Sequence, residues 1–249
     1  MQPPPLPLPE HDPALFLDFD GTLVAIAETP GAVEVAPGLV PLLAELHRLL
    51  GGALAVVSGR QVEVLDHFLA PLRLPAAGEH GVQRRDAQGR VQERLLPDLG
   101  DVLAAANALA ARHAGLLVER KQAAIALHYR LAPQLEPLCL DTMAEVAGAD
   151  PRFELLHGKC VVEVKPAGVN KGLAIDAFLE EAPFRGRAPL FAGDDTTDET
   201  GFAAVQSHPG GIGIKVGAGP TCAAHRLADP AAVHAWLRAL RDRLAAATD

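Results

Sequence analysis

Short apolar segments of strand length alternate along this chain with segments in which leucines recur at helical spacing. Residues 14–19 are predicted to form a strand, residues 38–50 place leucines on one helical face, and residues 53–57 are predicted to form another strand. A second block repeats this rhythm from Asn170 and ends with a helix near Leu244. Because helices connect the strands of a parallel sheet, the pattern predicts an α/β fold: a Rossmann-like parallel sheet with helices on both faces.

The middle of the chain follows a different pattern. Between about Leu99 and Lys165 a helix is followed by two strands, a second helix and two more strands. Adjacent strand pairs favour an antiparallel sheet, so this segment predicts a small α+β domain inserted into the core, with hinges near Pro97 and residues 166–168. The predicted parts are a disordered proline-rich lead over 1–13, a catalytic core over 14–97 and 166–249, and an α+β cap domain over 98–165.

Charge and composition exclude several classes of protein. The chain has 249 residues, a formal net charge of −9 and three widely spaced cysteines without a C-x-x-C pair. No apolar run approaches the ~18 residues of a membrane span, and the acidic balance offers no basic surface for nucleic acid. No secretory signal pattern precedes the core, and the cysteines do not form a disulfide framework. We therefore expect a cytoplasmic monomer that binds a small-molecule substrate, with no nucleic-acid or membrane partner.

The strongest chemical signal is the motif Asp18-Phe19-Asp20-Gly21-Thr22-Leu23, which directly follows an apolar run. Side chains two apart on a strand point the same way, so both carboxylates emerge at the strand's carboxyl end, where open parallel sheets bind ligands. Gly21 allows a sharp turn whose backbone N–H groups can hold an anion. A calcium loop is the alternative, but the further acidic ligands and closing glutamate of such a loop are missing.

A second acidic cluster, residues 193–199, follows another apolar run. Neighbouring aspartates raise one another's pKa unless a cation holds them, and a hard divalent cation with oxygen ligands fits Mg²⁺ best. An acidic helix start is the alternative interpretation. It explains Asp198 and Glu199 but leaves Asp194 and Asp195 unexplained.

Two smaller motifs complete the pattern. Ser58, within Val57-Ser58-Gly59-Arg60, follows a strand, and its hydroxyl could bind a phosphoryl oxygen. A turn with a helix cap is the simpler interpretation of Ser58 alone. Lys171 opens a helix, where the helix dipole disfavours a cation, so its position invites another explanation.

These four motifs, in this order and each at a strand end or helix start, resemble the haloacid dehalogenase superfamily of phosphotransferases. The resemblance covers nearly the whole chain from Ala14 onward. It implies that Asp18 is the nucleophile, that Asp20 is the general acid and base, and that Ser58 and Lys171 bind phosphate. It also implies a Mg²⁺ site, whose expected ligands are Asp18, Asp20, Asp194, Asp195 and Asp198.

Among cap-bearing members, the sequence looks most like the trehalose-6-phosphate phosphatases. The motifs behind this resemblance are residues 78–81, 118–121, 128–130, 158–159, 162–166 and 193–199. Strand alternation lets Glu119 and Lys121 share a face suited to sugar hydroxyls, although a surface ion pair explains these two residues equally well. The expected substrate-binding residues are Gly21, Thr22, Arg60, Glu79, His80, Glu119, Lys121, His128, Arg130, Lys159 and Glu163.

Several other functions stay open at this point. The nearest is a phosphatase of the same architecture that acts on sucrose phosphate or mannosyl-phosphoglycerate. A phosphomutase would have to shield its intermediate from water, and a catalytically silent regulatory module would not need Asp18, Asp20, Lys171 and Asp194 together.

Overall fold

A computed structural model of the protein describes residues 12–27, 30–94, 97–121, 123–158 and 160–247. The chain divides into two compact units, each with its own hydrophobic core. One unit comprises the residues up to Glu93 and from Asn170 onward, and the other comprises Arg94–Val169. Most of the predicted lead lies outside the described residues. Pro13, which the sequence places in that lead, instead begins the first strand because it pairs with Ala188 in the core sheet.

The strands, in chain order, are β1 (Pro13–Leu17), β2 (Leu54–Val57), β3 (Ala76–Gly78), β4 (Gln83–Arg85), β5 (Val91–Glu93), β6 (Leu117–Arg120), β7 (Ile125–His128), β8 (Phe153–Gly158), β9 (Val161–Pro166), β10 (Ala188–Gly193), β11 (Ile212–Val216) and β12 (His225–Leu227). The helices are α1 (Leu39–Leu49), α2 (Val62–Leu69), α3 (Gly100–Ala110), α4 (Glu136–Gly148), α5 (Lys171–Leu179), α6 (Glu199–Ser207) and α7 (Pro230–Ala246).

The larger unit contains a sheet in the order β12-β11-β10-β1-β2-β3-β4-β5. The strands from β12 to β3 are parallel, as predicted, whereas β4 and β5 extend the sheet in antiparallel fashion. Sequence periodicity does not reveal this extension, because its strands are only three residues long. Strands β1 and β2 are entirely buried, which explains their continuous apolar runs. Helix α1 packs against α7 and α5 against α6.

The parallel pairing brings the carboxyl ends of three functional strands together. Strand β1 lies between β10 and β2, with Leu17 opposite both Ala192 and Val56. The segments that follow these strands carry the motifs at Asp18, Ser58 and Asp194. Their convergence at one sheet edge follows from this strand order.

The smaller unit is the predicted α+β layer. Its sheet is antiparallel in the order β6-β7-β9-β8, and α3 and α4 pack against it. The core between helices and sheet includes Val102, Met143, Ile125, Leu127 and Val164. Within the described residues, no helix is both long and apolar enough to cross a membrane.

Candidate active site

The turn after β1 holds Asp18 in a buried position. The Asp18 backbone N–H donates to the Ala192 carbonyl at 2.9 Å, and the Thr22 hydroxyl lies 3.4 Å from Asp18 Oδ2. Gly21 closes this turn with φ of +73°, and a Cβ at this position would lie 2.1 Å from Asp194 Oδ2. A glycine is therefore required for the turn to approach the second acidic loop.

Lys171 joins the two acidic motifs. Its ammonium lies 2.7 Å from Asp18 Oδ1 and 2.6 Å from Asp198 Oδ1, and all three side chains are buried. Burial alone would lower the pKa of Lys171, but the two carboxylates outweigh it and raise that pKa above its usual value. These two carboxylates explain why a lysine lies at the start of a helix. Asn170 caps the same helix, because its side chain accepts a hydrogen bond from the Leu173 N–H at 2.9 Å.

The loop after β10 is locked by its own side chains. The backbone N–H of Asp195 donates to Asp198 Oδ2 at 2.9 Å, and the Asp195 carboxylate accepts from the Asp198 N–H in a reciprocal capping box. Asp198 is fully buried, whereas Asp195 is exposed. A Cβ on Gly193 would lie 2.4 Å from Asp198 Cγ, so this position is restricted to glycine.

Three carboxylates gather at the centre of the site. Asp18, Asp194 and Asp198 each place an oxygen within 4.8 Å of the others, and among the described residues Asp20 and Asp195 are not part of this cluster. Burial, with the charges of neighbouring aspartates, raises the pKa of Asp18 well above its usual value and that of Asp194 to about 6. The Lys171 ammonium offsets only part of this negative charge. Carboxylate oxygens crowded in this way fit a hard divalent cation.

Asp20 points to a different partner. Its carboxylate forms a bidentate ion pair with Arg60, at 2.6 Å to Nε and 2.7 Å to Nη2. The guanidinium lies over the rings of Phe19 and Phe68, with centroids at 5.6 Å and 5.0 Å. The Asp20 side chain nevertheless keeps 37% of its surface exposed, against 13% for Arg60. Arg60 therefore links the ends of β1 and β2 while Asp20 stays accessible.

The loops after β2 and β3 form a packed pair. Ser58 is buried and its hydroxyl accepts from the Arg60 N–H at 3.2 Å. Its carbonyl accepts from the His80 N–H at 2.9 Å, and Glu79 N–H donates to the Arg60 carbonyl at 3.0 Å. Glu79 and His80 both adopt positive φ, at 47° and 59°, a conformation that is unfavourable for side chains of this size. Four of the predicted site residues thus lie in two loops that are hydrogen-bonded to each other: Ser58, Arg60, Glu79 and His80.

Comparison with known proteins identifies the family. The model of the trehalose-phosphatase family matches residues 16–231. The chain belongs to the trehalose-phosphatase family. This confirms the resemblance inferred from the motifs, and the parallel sheet with an inserted antiparallel layer is the fold of its structural neighbours.

Two bacterial relatives and two structures illustrate the similarity. The Escherichia coli trehalose-6-phosphate phosphatase is 43% identical over 233 residues, covering 93% of this chain and 87% of the relative. A probable trehalose-phosphate phosphatase of Sinorhizobium fredii is 47% identical over 207 residues, covering 82% of this chain and 77% of the relative. A trehalose-6-phosphate phosphatase related protein superposes with a TM-score of 0.73 at 28% identity, covering 94% of this chain and 99% of the other. The C-terminal domain of Candida albicans trehalose-6-phosphate phosphatase, at 22% identity, shares the fold with a TM-score of 0.79 and covers 92% of each chain.

In this trehalose-phosphatase family member, the smaller unit presents a polar sheet face. Residues Ile125, Leu127, Val162 and Val164 lie in the core beneath the helices, so alternation turns the intervening residues to the opposite face. The register aligns Glu119 with Ala126 and Ala126 with Glu163, which places both glutamates on that face.

Side-chain contacts between charged and polar groups organise this face. Lys121 Nζ contacts Glu163 Oε2, and His128 Nε2 lies 2.8 Å from Glu119 Oε2. Glu163 is buried although it lies on the polar face. Arg130 follows the end of β7 and is exposed, and Lys159 lies outside the described residues.

Sequence reasoning missed Lys215. This lysine is buried at the end of β11, and its ammonium donates to the backbone carbonyl of Asp194. The available signal was a cation inside the apolar strand Ile212–Val216, at the end of a strand next to β10. Such a residue is costly to bury and calls for a local reason.

Proposed function

We propose that this protein hydrolyses trehalose 6-phosphate to trehalose and phosphate through an aspartyl-phosphate intermediate on Asp18. The observation that carries the proposal is the buried arrangement of Asp18, Lys171 and Asp198 beside Asp194, in a chain of the trehalose-phosphatase family. The names of its bacterial relatives support the substrate. We further propose that the enzyme acts as a cytoplasmic monomer.

The acidic cluster fits Mg²⁺, and we propose Asp18, Asp194 and Asp198 as its protein ligands. Their oxygens already lie within 4.8 Å of one another, and Gly21 leaves the space beside Asp194 free of a side chain. When bound, Mg²⁺ would neutralise charge on the transferring phosphoryl group. Asp20 was also expected as a ligand, but its carboxylate is paired with Arg60, and the capping box gives Asp195 a role in shaping the loop.

Covalent transfer divides the hydrolysis into two displacements. In the first, an Asp18 carboxylate oxygen forms a bond to phosphorus while the bond from phosphorus to the sugar oxygen breaks. Lys171, within hydrogen-bond distance of Asp18, lowers the repulsion between carboxylate and phosphate, and the Ser58 hydroxyl and the Gly21–Thr22 turn bind phosphoryl oxygens. In the second, water attacks phosphorus and the bond to Asp18 breaks.

Asp20 handles the proton in both steps. It gives a proton to the departing sugar oxygen and later accepts one from the attacking water. Because Arg60 holds both oxygens of the Asp20 carboxylate, we propose that Asp20 leaves Arg60 before it contacts the departing sugar oxygen. The exposed part of the Asp20 side chain is consistent with contact to a substrate.

We propose that the smaller unit is a cap that reads the sugar. Its polar face carries groups that accept and donate hydrogen bonds, as recognition of a disaccharide requires. Glu119, Lys121 and Glu163 are the main candidates, with His128, Arg130 and Lys159 as further ones. Glu79 and His80 would contact the substrate from the core unit.

A substrate panel tests the proposal. Phosphate release is measured from trehalose 6-phosphate, glucose 6-phosphate and sucrose 6-phosphate, each with Mg²⁺ or with EDTA. We expect the highest kcat/KM for trehalose 6-phosphate with Mg²⁺, and loss of activity with EDTA. Preference for sucrose 6-phosphate would contradict the substrate, and full activity of the metal-stripped protein in EDTA would contradict the metal site.

A further inference from the structure

Among the acidic residues at the centre of the site, Asp194 is held differently from the other two. The carboxylates of Asp18 and Asp198 are both bound by the Lys171 ammonium. Within the described residues, no hydrogen bond reaches the Asp194 carboxylate, which lies against Gly21. Its orientation therefore depends on another contact. An unanchored carboxylate loses conformational freedom when it binds a cation, which weakens the site.

The backbone of Asp194 does have an anchor. The ammonium of Lys215 donates to the Asp194 carbonyl oxygen. The register pairs Lys215 with Gly193, so the lysine stands beside the last residue of β10, directly before Asp194. Its contact therefore fixes the peptide from which the Asp194 side chain projects.

The position of Lys215 supports a specific role. It is 5% exposed, in a strand whose other residues are Ile212, Gly213, Ile214 and Val216. An aliphatic side chain would suit this strand without the cost of burying an ammonium. A buried lysine at this position is explained if its ammonium is needed to hold the loop that carries Asp194.

We propose that Lys215 is a positioning residue of the metal site, which holds the Asp194 backbone so that its carboxylate is directed toward Asp18 and Asp198. The inference rests on the proposed Mg²⁺ dependence. It predicts that loss of the ammonium weakens Mg²⁺ binding. A purely electrostatic role predicts the opposite, because removing a cation beside the cluster would strengthen Mg²⁺ binding.

Isothermal titration of Mg²⁺ into metal-stripped protein, without substrate, separates these roles. Lys215→Met keeps the length and the apolar stem of the side chain and removes the donor. We expect its Kd for Mg²⁺ to rise about 10- to 100-fold, as for other groups that orient metal ligands. Lys215→Arg retains a charged donor, so its Kd for Mg²⁺ should rise less.

Lys165→Met is the matched control. Lys165 is also a buried lysine that contacts a carboxylate, Glu154, and a backbone carbonyl, that of Val169, but it lies in the smaller unit. Its Kd for Mg²⁺ should stay within about twofold of wild type. A similar loss in this control would show that the effect is not specific to Lys215, and would overturn the inference.

The other outcomes are also decisive. If the wild-type protein binds no Mg²⁺, the proposed metal site itself fails. If wild type binds and folded Lys215→Met binds equally or more tightly, only the positioning role is overturned. Circular dichroism verifies folding, and if Lys215→Met does not fold, the same titration of Lys215→Gln decides.

Discussion

At the scale of single residues, charge burial governs the candidate site. Lys171 is enclosed by Asp18 and Asp198, and removal of one partner of a buried pair leaves an uncompensated charge. Conservative substitutions that keep shape and hydrogen bonding are therefore the informative ones. One such substitution tests the proposed nucleophile, and a deliberately steric one tests the turn beside it.

Asp18→Asn should abolish turnover without unfolding the protein. The amide keeps an oxygen that can accept from Lys171 but is not a nucleophile, so we expect phosphate release to fall at least about a thousandfold. Activity is measured beside a thermal melt. Wild-type turnover in a folded Asp18→Asn sample would refute the covalent mechanism, and a beryllium fluoride adduct on any carboxylate other than Asp18 would show that the nucleophile is misassigned.

Gly21→Ala should inactivate the enzyme by sterics. The new Cβ would meet Asp194 Oδ2 at 2.1 Å, in addition to the backbone strain of about 1–2 kcal/mol at positive φ. Gly186→Ala is the matched control, since Gly186 has φ of +77° against +73° but no heavy atom within 4 Å of the added Cβ. Both variants should melt lower than wild type, and only Gly21→Ala should lose Mg²⁺ affinity. Equal Mg²⁺ affinity of the two variants would contradict the packing of Gly21 on Asp194.

At the scale of elements, the two sheets present different kinds of side chains. The parallel strands gather acidic loops at their carboxyl ends, and the antiparallel sheet of the smaller unit offers a polar face. A phosphoryl site cannot distinguish one sugar phosphate from another. Discrimination must come from polar groups that are left unpaired when the wrong sugar binds.

Lys121→Ala and Glu163→Ala should each reduce kcat/KM for trehalose 6-phosphate, by about 1–3 kcal/mol per lost buried hydrogen bond. Slow cleavage of p-nitrophenyl phosphate, which lacks the distal sugar, should change little. Arg152→Ala is the control in the same unit, because the pair of Arg152 with Asp150 is exposed. If kcat/KM falls equally for both substrates in folded variants, Lys121 and Glu163 contribute to closure or stability instead. If neither falls, the sugar is read elsewhere.

At the scale of the whole molecule, two separate cores stabilise the two units. The larger cluster includes Phe16, Leu43 and Phe191, and the smaller one includes Met143 and Val164. Each cluster packs helices onto its own sheet. Local stability should therefore differ between the units.

Met143→Ala should destabilise the smaller unit by about 2–5 kcal/mol, since a fully buried side chain is removed. Hydrogen exchange followed by mass spectrometry should accelerate in peptides of 94–169, while β1 and β10 stay protected. Leu43→Ala, which removes a fully buried side chain of the larger core, should give the reverse pattern. Uniform acceleration in both variants would show that the chain opens as one cooperative unit.

Local rules of sequence determined the longer strands, several helices and the chemistry that each motif offers. Apolar runs and helical spacing located β1, β2 and α1, and the acidic pairs after β1 and β10 marked the site, because these signals depend on neighbours along the chain. The short strands β3, β4 and β5 were not visible in this way. Their pairing depends on partners rather than on periodicity.

Only the tertiary structure decided how the acidic residues are shared out. Sequence proposed five aspartates for one cation, whereas the fold gathers Asp18, Asp194 and Asp198, pairs Asp20 with Arg60 and uses Asp195 as a helix cap. The same holds for the contact of Lys215 with the Asp194 carbonyl. The physical reason is that a charged side chain forms a hydrogen bond or ion pair only with a group that the folded chain places within about 3 Å. Which groups come that close is set by strand order rather than by spacing along the sequence.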